Sequence, residues 1–207
     1  PRIKEELAAI QLIAKMPLYE TCIQASRRGY VKKIKMAAFI THVAEDYIGT
    51  GVKLPADKTC GVTFASPDTL YTMVSQEGYL FSMPVERLPS AIEEVIHLGI
   101  TDHIVATFIV QPASSILFIT QNGKAVHREA SWLEPANSFK SKGQALLSRE
   151  RREAGVRIVG AAPVEEGDWG VSLQEDGALS TYAVKDLMAA GSLSSSAGLK
   201  PIVSFTT

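Results

Sequence analysis

The chain is 207 residues long, with 21 Lys and Arg against 22 Asp and Glu, a formal net charge of -1 and a hydrophobic fraction of 46%. That balance excludes a disordered polar tail and a uniformly basic nucleic-acid binder, and the length suits one domain or a compact array of repeats. No apolar run approaches the roughly 18 residues that a helix needs to cross a bilayer, so no membrane partner is expected.

The first residues, Pro1-Arg2-Ile3-Lys4-Glu5-Glu6, lack both an initiator Met and the apolar stretch of a secretory signal, the pattern expected of a piece of a longer chain. Ile3, Leu7, Ile10 and Ile13 recur at helical spacing, which predicts a linker helix within residues 1–17, ended by Met16-Pro17. Residues 18–207 then read as a β-rich repeat domain.

Its grammar is an apolar run, a polar pair, a Gly and a second β-rich run. The copies are Ile23 to Val31 around Arg27-Arg28-Gly29, Met73 to Leu80 around Gln76-Glu77-Gly78, Phe118 to Ala125 around Gln121-Asn122-Gly123, and Val171 to Leu179 around Glu175-Asp176-Gly177. The turn glycines lie 49, 45 and 54 residues apart. A polar pair followed by Gly between β-rich runs predicts a hairpin, because Gly tolerates positive φ without steric cost. Blades are therefore expected to begin at Leu18 to Ser26, Thr69 to Ser75, Ser115 to Thr120 and Asp168 to Gln174.

Three copies close on an apolar position, at Leu88, Leu133 and Leu187, with Phe39 in the corresponding place of the first. Another β-rich run follows each of the first three turns, at Gly61 to Phe64, Ile104 to Val110 and Val156 to Val159, giving about four strands per unit. The runs Leu70 to Val74 and Ile116 to Ile119 are apolar throughout, as expected of strands buried on both faces. Ser90 with Glu93 predicts a short capped helical turn through Ile96. The fold class expected is all-β: a propeller-like array of four visible four-stranded blades with a short N-terminal helix.

Chemistry of the catalytic kind is missing. His42, His97, His103 and His127 have no partners at metal-ligand spacing, and Cys22 and Cys60 form neither a zinc pattern nor a disulfide framework. Gly49-Thr50-Gly51 lacks the third Gly of a dinucleotide fingerprint. No catalytic residue, metal or cofactor is expected, and a reducing cytoplasm is the expected compartment.

Charge is segregated instead. Between Thr21 and Phe39 stand Arg27, Arg28, Lys32, Lys33 and Lys35 with no acid. Between Phe139 and Arg157 stand Lys140, Lys142, Arg149, Arg151, Arg152 and Arg157 against Glu150 and Glu153. Lys124 and Arg128 add cations to the third hairpin. Val164 to Asp176 carries Glu165, Glu166, Asp168, Glu175 and Asp176 with no base. Hairpin arginines and a row of strand lysines suit contact with a phosphate backbone. Edge lysines that discourage strand aggregation are the alternative reading.

The repeated turns, the Gly29-Tyr30-Val31-Lys32-Lys33 stretch and the Ile3-Lys4-Glu5-Glu6-Leu7 segment resemble the C-terminal β-pinwheel domain of the A subunit of bacterial type IIA topoisomerases, DNA gyrase and topoisomerase IV. The resemblance covers about residues 3 to 187. It implies a disc whose basic outer rim binds and bends duplex DNA for a catalytic core elsewhere in the subunit, working with an ATPase subunit. Members of that family carry more blades than the four visible here. Gyrases also carry a Gln-Arg-Arg-Gly-Gly-Lys-Gly box in the first-blade loop, whereas His42 to Gly51 holds Glu45 and Asp46 and no base. The nearest relic is Lys140-Ser141-Lys142-Gly143, so the resemblance leans toward a topoisomerase IV-type or divergent gyrase-like domain. A protein-interaction propeller is the competing expectation, motivated by the acidic fourth copy.

Overall fold

The structure, a computed structural model, describes residues 20–37, 57–193 and 201–207. The expected linker helix, Phe39, His42 and the loop through Gly51 lie outside the described residues. Strands in chain order are β1 (Thr21–Ser26), β2 (Tyr30–Lys35), β3 (Thr59–Ala65), β4 (Leu70–Ser75), β5 (Tyr79–Pro84), β6 (Glu93–Glu94) and β7 (Ile104–Val110). They continue as β8 (Ser115–Thr120), β9 (Ala125–Glu129), β10 (Gln144–Ala145), β11 (Ile158–Val164), β12 (Trp169–Gln174), β13 (Leu179–Ala183) and β14 (Ile202–Thr206). Two short helices, α1 (Arg149–Glu153) and α2 (Val184–Ala190), and two 3-10 turns at Val85–Arg87 and Ala130–Trp132 lie between these strands.

The strands form four antiparallel sheets, ordered β3-β1-β2-β6, β10-β5-β4-β7, β11-β8-β9 and β13-β12-β14. The four expected blades are present, but among the described residues only the first two have four strands and the third and fourth have three, the outermost strand there being absent or reduced to the Lys124–Ser192 bridge; each hairpin turns at its predicted glycine. Gly29, Gly78, Gly123 and Gly177 have φ between 77° and 85°, a left-handed conformation that only Gly adopts cheaply. A Ser or Thr before the turn secures three of them: Ser26 Oγ, Ser75 Oγ and Thr120 Oγ1 accept from the N–H groups of Tyr30, Tyr79 and Lys124 at 3.1, 3.1 and 3.0 Å.

The order of strands is interleaved in a way the repeat pattern does not reveal. Strand β6 follows the second hairpin but pairs with β2 of the first sheet, and β10 follows the third hairpin but pairs with β5 of the second. Ser192, after the fourth hairpin, bridges to Lys124 of the third. Each of the first three hairpins is thus flanked on its outer side by chain that has already passed through the next one. This corrects one expectation: Glu93–Glu94 is strand β6, not part of a helical turn, because the register Tyr30↔Glu94 and Val31↔Glu93 supplies inter-strand hydrogen bonds that a capped turn cannot.

On the inner side, β3, β7, β11 and β14 each pair with the first strand of their own hairpin and pack in succession, β3 on β7, β7 on β11, and β11 on β14. Every one of these pairings contains a bulge at the same place. One extra residue, Cys60, Val105, Val159 or Val203, stands opposite no partner. The sheets are also linked through the hairpin turns. The N–H groups of Arg27, Gln76, Gln121 and Glu175 donate to the carbonyls of Lys58, His103, Arg157 and Pro201 just before the inner strands. The carbonyls of Arg27, Gln76 and Gln121 in turn accept from Ile104, Ile158 and Ile202, the first inner-strand residues of the following sheet, at 2.9, 2.7 and 2.8 Å.

Three apolar cores lie between successive sheets. Ile23, Ala25 and Val31 meet Tyr71, Met73, Phe81 and Met83 between the first and second. Val74, Leu80 and Phe108 meet Ile116, Phe118 and Ile158 between the second and third, and Leu117 and Ile119 meet Val184, Leu187, Ile202 and Phe205 between the third and fourth. This explains why β4 and β8 are apolar on both faces, as the sequence predicts. Leu88, Leu133 and Leu187 are all buried behind their hairpins, each burial contributing roughly 1.5–3 kcal/mol. The fourth sheet differs: Val171 and Leu173, equivalent by repeat to the fully buried Leu117 and Ile119, are half-buried, and Trp169 and Leu179 beside them are 63% and 70% exposed.

Candidate nucleic-acid interface

The thirteen cations singled out in the sequence fall into two environments. At the turn end of the sheets several are tied into the fold. Arg28 Nη1 donates to the carbonyls of Gly99, Ile100 and Asp102 at 3.0, 3.3 and 2.6 Å, so its guanidinium fastens the 99–102 loop to the first turn. Lys33 Nζ donates to the carbonyls of Val85 and Glu86 at 3.0 and 2.7 Å. Burial, with the neighbouring Lys35 charge, lowers its pKa, partly offset by Glu86. Both side chains act first as structural ties.

The second basic segment contains a helix, α1, whose Ser148 cap accepts from Arg151 N–H. Arg149 pairs with Glu153 at 2.7 Å. Arg152 donates to the Leu147 carbonyl and lies 4.7 Å over the ring of Tyr79, a cation–π contact. Arg157 donates to the carbonyls of Arg152 and Val156 at 3.0 and 2.9 Å. Arg151 is exposed. Glu77, Glu153 and Asp102 interleave with these cations: Glu77, Arg149, Arg152 and Glu153 line one cleft, and Asp102 Oδ1 accepts from Glu77 N–H.

The outer edge is different. Lys140 and Lys142 are exposed and flank Ser141, which bridges to Ile96 beyond β6. Lys140 has φ of 58°, held by its N–H donating to the Val95 carbonyl at 2.9 Å. The beginning of the second basic segment therefore meets the outer edge of the first sheet, the sheet whose β2 carries Lys32, half-buried, and Lys35, exposed. Sequence separation of more than a hundred residues conceals this junction. Lys124 and Arg128 are exposed on the third hairpin, Arg128 resting 5.5 Å from the Trp132 ring centroid.

At the turn end, a cavity of about 540 Å³ opens among the inner strands. The four bulge residues line it, with Arg27, Lys58 and His103 on one side. Lys58 and His103 hold the equivalent position just before their inner strands; the sequence reading leaves Lys58 unmentioned and considers His103 only as a metal ligand. A signal existed in the recurrence of Lys58, His103, Arg157 and Pro201 at that position. Burial and the Arg27 charge lower the pKa of His103, with Asp102 and a hydrogen bond to Thr101 opposing and Arg28 adding to the fall. The Cys60 thiol is pushed up to about 12, by burial first and then by Asp57. Both cysteines are free thiols.

No protein-family model matches the sequence, and no curated protein matches it. Among solved structures, the chain is similar to the C-terminal domain of DNA topoisomerase IV, with a TM-score of 0.71 and 18% identity over 94% of this chain and 63% of that one. The fold is the β-pinwheel. The pinwheel of the DNA gyrase A C-terminal domain gives a TM-score of 0.62 with 12% identity over 81% of this chain and 55% of that one. The E. coli ParC C-terminal domain gives 0.63 with 16% identity over 90% and 80%. The chain thus spans under two thirds of the first two domains, and these identities establish the pinwheel fold alone.

Proposed function

We propose that this pinwheel is the DNA-binding and DNA-bending C-terminal domain of a type II topoisomerase A subunit, gyrase-like or topoisomerase IV-like. The observation that carries the reading is the first sheet, whose outer edge meets the exposed Lys140 and Lys142 near its turn and whose β2 ends, away from the turn, on the exposed Lys35, on a fold similar to topoisomerase C-terminal domains. Lys124, Arg128 and Arg151 extend the set. Bending duplex DNA through 40 to 90° costs roughly 1–6 kcal/mol, which a curved row of cations offsets by phosphate contact without reading bases. The domain would deliver DNA to the catalytic core of the same subunit, which with its ATPase subunit performs the strand-passage chemistry in the bacterial cytoplasm, at the nucleoid. The domain itself would need no cofactor.

A mobility shift with duplex DNA at two salt concentrations tests this. Five phosphate contacts predict a log–log salt slope of about -4.5. The triple variant Lys35→Glu, Lys140→Glu, Lys142→Glu should lose most of its affinity while keeping its circular dichroism spectrum. Charge reversal at Arg28 or Lys33 is a poorer test, because those side chains hold the fold. Unaltered binding by the triple variant would remove the first-sheet edge from the interface. No binding even at low salt would favour the second reading, a protein-interaction module, for which the supporting observation is the exposed acids at the two ends of β12, Glu165, Glu166 and Asp168 in the loop before it and Glu175 and Asp176 in the turn after it.

A further inference from the structure

The first three turns are closed by one device that the fourth lacks. In each, the carbonyl of the turn glycine accepts from an N–H of the chain returning from the next hairpin: Gly29 from Val95, Gly78 from Leu146 and Gly123 from Leu193, at 2.9, 2.9 and 2.7 Å. Just before these donors the returning chain pairs with the strand after the turn, Glu93 with Val31 and Gln144 with Leu80. In the first two turns a second aliphatic side chain then covers the glycine. A Cβ on Gly29 would lie 2.6 Å from Ile96 Cγ2, and one on Gly78 would lie 2.7 Å from Leu147 Cγ. Val95 and Ile96 share a core with Val31, and Leu147 shares one with Leu80. Gly29, Gly78 and Gly123 are buried in consequence.

Gly177 is exposed, a Cβ placed on it would meet nothing within 4 Å, and its carbonyl accepts from no described residue. Leu179, in the place of the buried Val31 and Leu80, is 70% exposed. The Ala178 carbonyl accepts from Gln174, so the N–H and C=O of Leu179 point away from β12, along an edge of β13 that no described strand pairs. An exposed Leu and an open strand edge thus stand together where every earlier turn is covered. The second sheet shows which charge suits an acidic turn: Glu77 shares a cleft with Arg149 and Arg152, which follow Leu147 along the returning chain. At the fourth turn the exposed Glu175 supplies negative charge.

We propose that the fourth turn docks an extended segment of a partner protein, carrying two consecutive aliphatic residues followed by arginines. The segment adds antiparallel to β13, as β6 and β10 add to β2 and β5. Its first aliphatic residue donates its N–H to the Gly177 carbonyl, and the second covers that glycine and packs against Leu179. Main-chain pairing supplies attraction, while the aliphatic pair and Glu175 supply selectivity. The site is on the fourth sheet, apart from Lys140 and Lys142, and stands whether or not the first sheet binds DNA.

A suitable probe is the synthetic peptide Gln-Ala-Leu-Leu-Ser-Arg-Glu-Arg-Arg, the sequence of residues 144–152, because its pairing beside an acidic turn is seen on β5. Amide exchange followed by NMR in the 207-residue chain reports occupancy at the edge itself. The peptide should slow exchange of the Leu179 N–H at least about tenfold at saturation. Replacing both peptide leucines by serine should weaken binding at least about tenfold, and replacing its arginines by glutamate should weaken it about fivefold. Leu179→Glu in the protein should weaken binding of the original peptide at least about tenfold. Leu179 is exposed, and if that variant does not fold, the serine peptide still decides the matter. Unchanged exchange at Leu179, equal binding by the serine or glutamate peptide, or unchanged binding by folded Leu179→Glu would each overturn the proposal. Faster exchange at Leu80 with none slowed at Leu179 would overturn it as well, since the peptide would then be displacing β10. So would concentration-dependent dimers that protect Leu179 without peptide, by making a second copy the occupant.

Discussion

Replacing Gly160 with Ala tests whether the close packing of inner strands holds the pinwheel together. Gly160 lies on β11, immediately after the bulge, and has ordinary negative φ, so the substitution adds no backbone strain of its own. The added Cβ, however, would stand 2.2 Å from the Phe205 carbonyl oxygen and 2.9 Å from its carbon, both backbone atoms of β14. Relieving that overlap requires the third and fourth sheets to separate by roughly 1 Å, and overpacking of this kind costs about 1–3 kcal/mol. Phe205 belongs to the core between those sheets together with Leu117, Ile119 and Leu187, so the separation also loosens apolar contacts, placing the expectation at the upper end of that range. Gly167→Ala is the matched control, because nothing lies within 4 Å of its added Cβ. It should be neutral or raise stability by about 0.4–1 kcal/mol through the unfolded chain. Urea unfolding followed by circular dichroism should show a midpoint roughly 1 M lower for Gly160→Ala, given slopes of about 1–3 kcal/mol per M. Equal midpoints for the two variants would refute the argument that inter-sheet spacing at β11 and β14 limits stability.

The two arginines of the first turn should behave oppositely: Arg28→Ala should cost about 1–2 kcal/mol, since its guanidinium donates to three loop carbonyls, whereas Arg27→Ala should change the unfolding midpoint by less than about 0.5 kcal/mol. Equal losses would contradict the assignment of Arg28 as the tie. The cysteines should resist alkylation in the native protein at pH 8, because burial raises Cys22 to about 11 and Cys60 to about 12 from 9.0, leaving little thiolate. The sign of linkage is equally definite. Thiols with raised native pKa values favour the folded state while protonated, so their contribution is lost as pH climbs from 9.0 through the native values. Rapid native labelling of either thiol, measured by mass spectrometry against a urea-unfolded control, would contradict its burial.

Local rules carried much of the fold. A polar pair and a Gly at each of four positions specify the hairpins, since positive φ is a local property, and the apolar runs of β4 and β8 specify burial on two faces because a strand's side chains alternate. Clusters of charge were equally legible, as composition needs no contacts. The tertiary structure decided everything that depended on which segment returns to which sheet. Glu93–Glu94 looked like a helical cap because Ser90 stands at capping distance, yet β2 offered it a ladder, and that long-range pairing outweighed a weak local preference. The same interleaving brings Lys140 and Lys142 to the sheet of Lys35. It also separates cations by role, turning Arg28 and Lys33 inward onto carbonyls whose positions no local pattern specifies. The axial cavity is the clearest case: a bulge is a mismatch of register between two strands, visible only once both are paired, and four such mismatches had to meet before Arg27, Lys58 and His103 shared a wall.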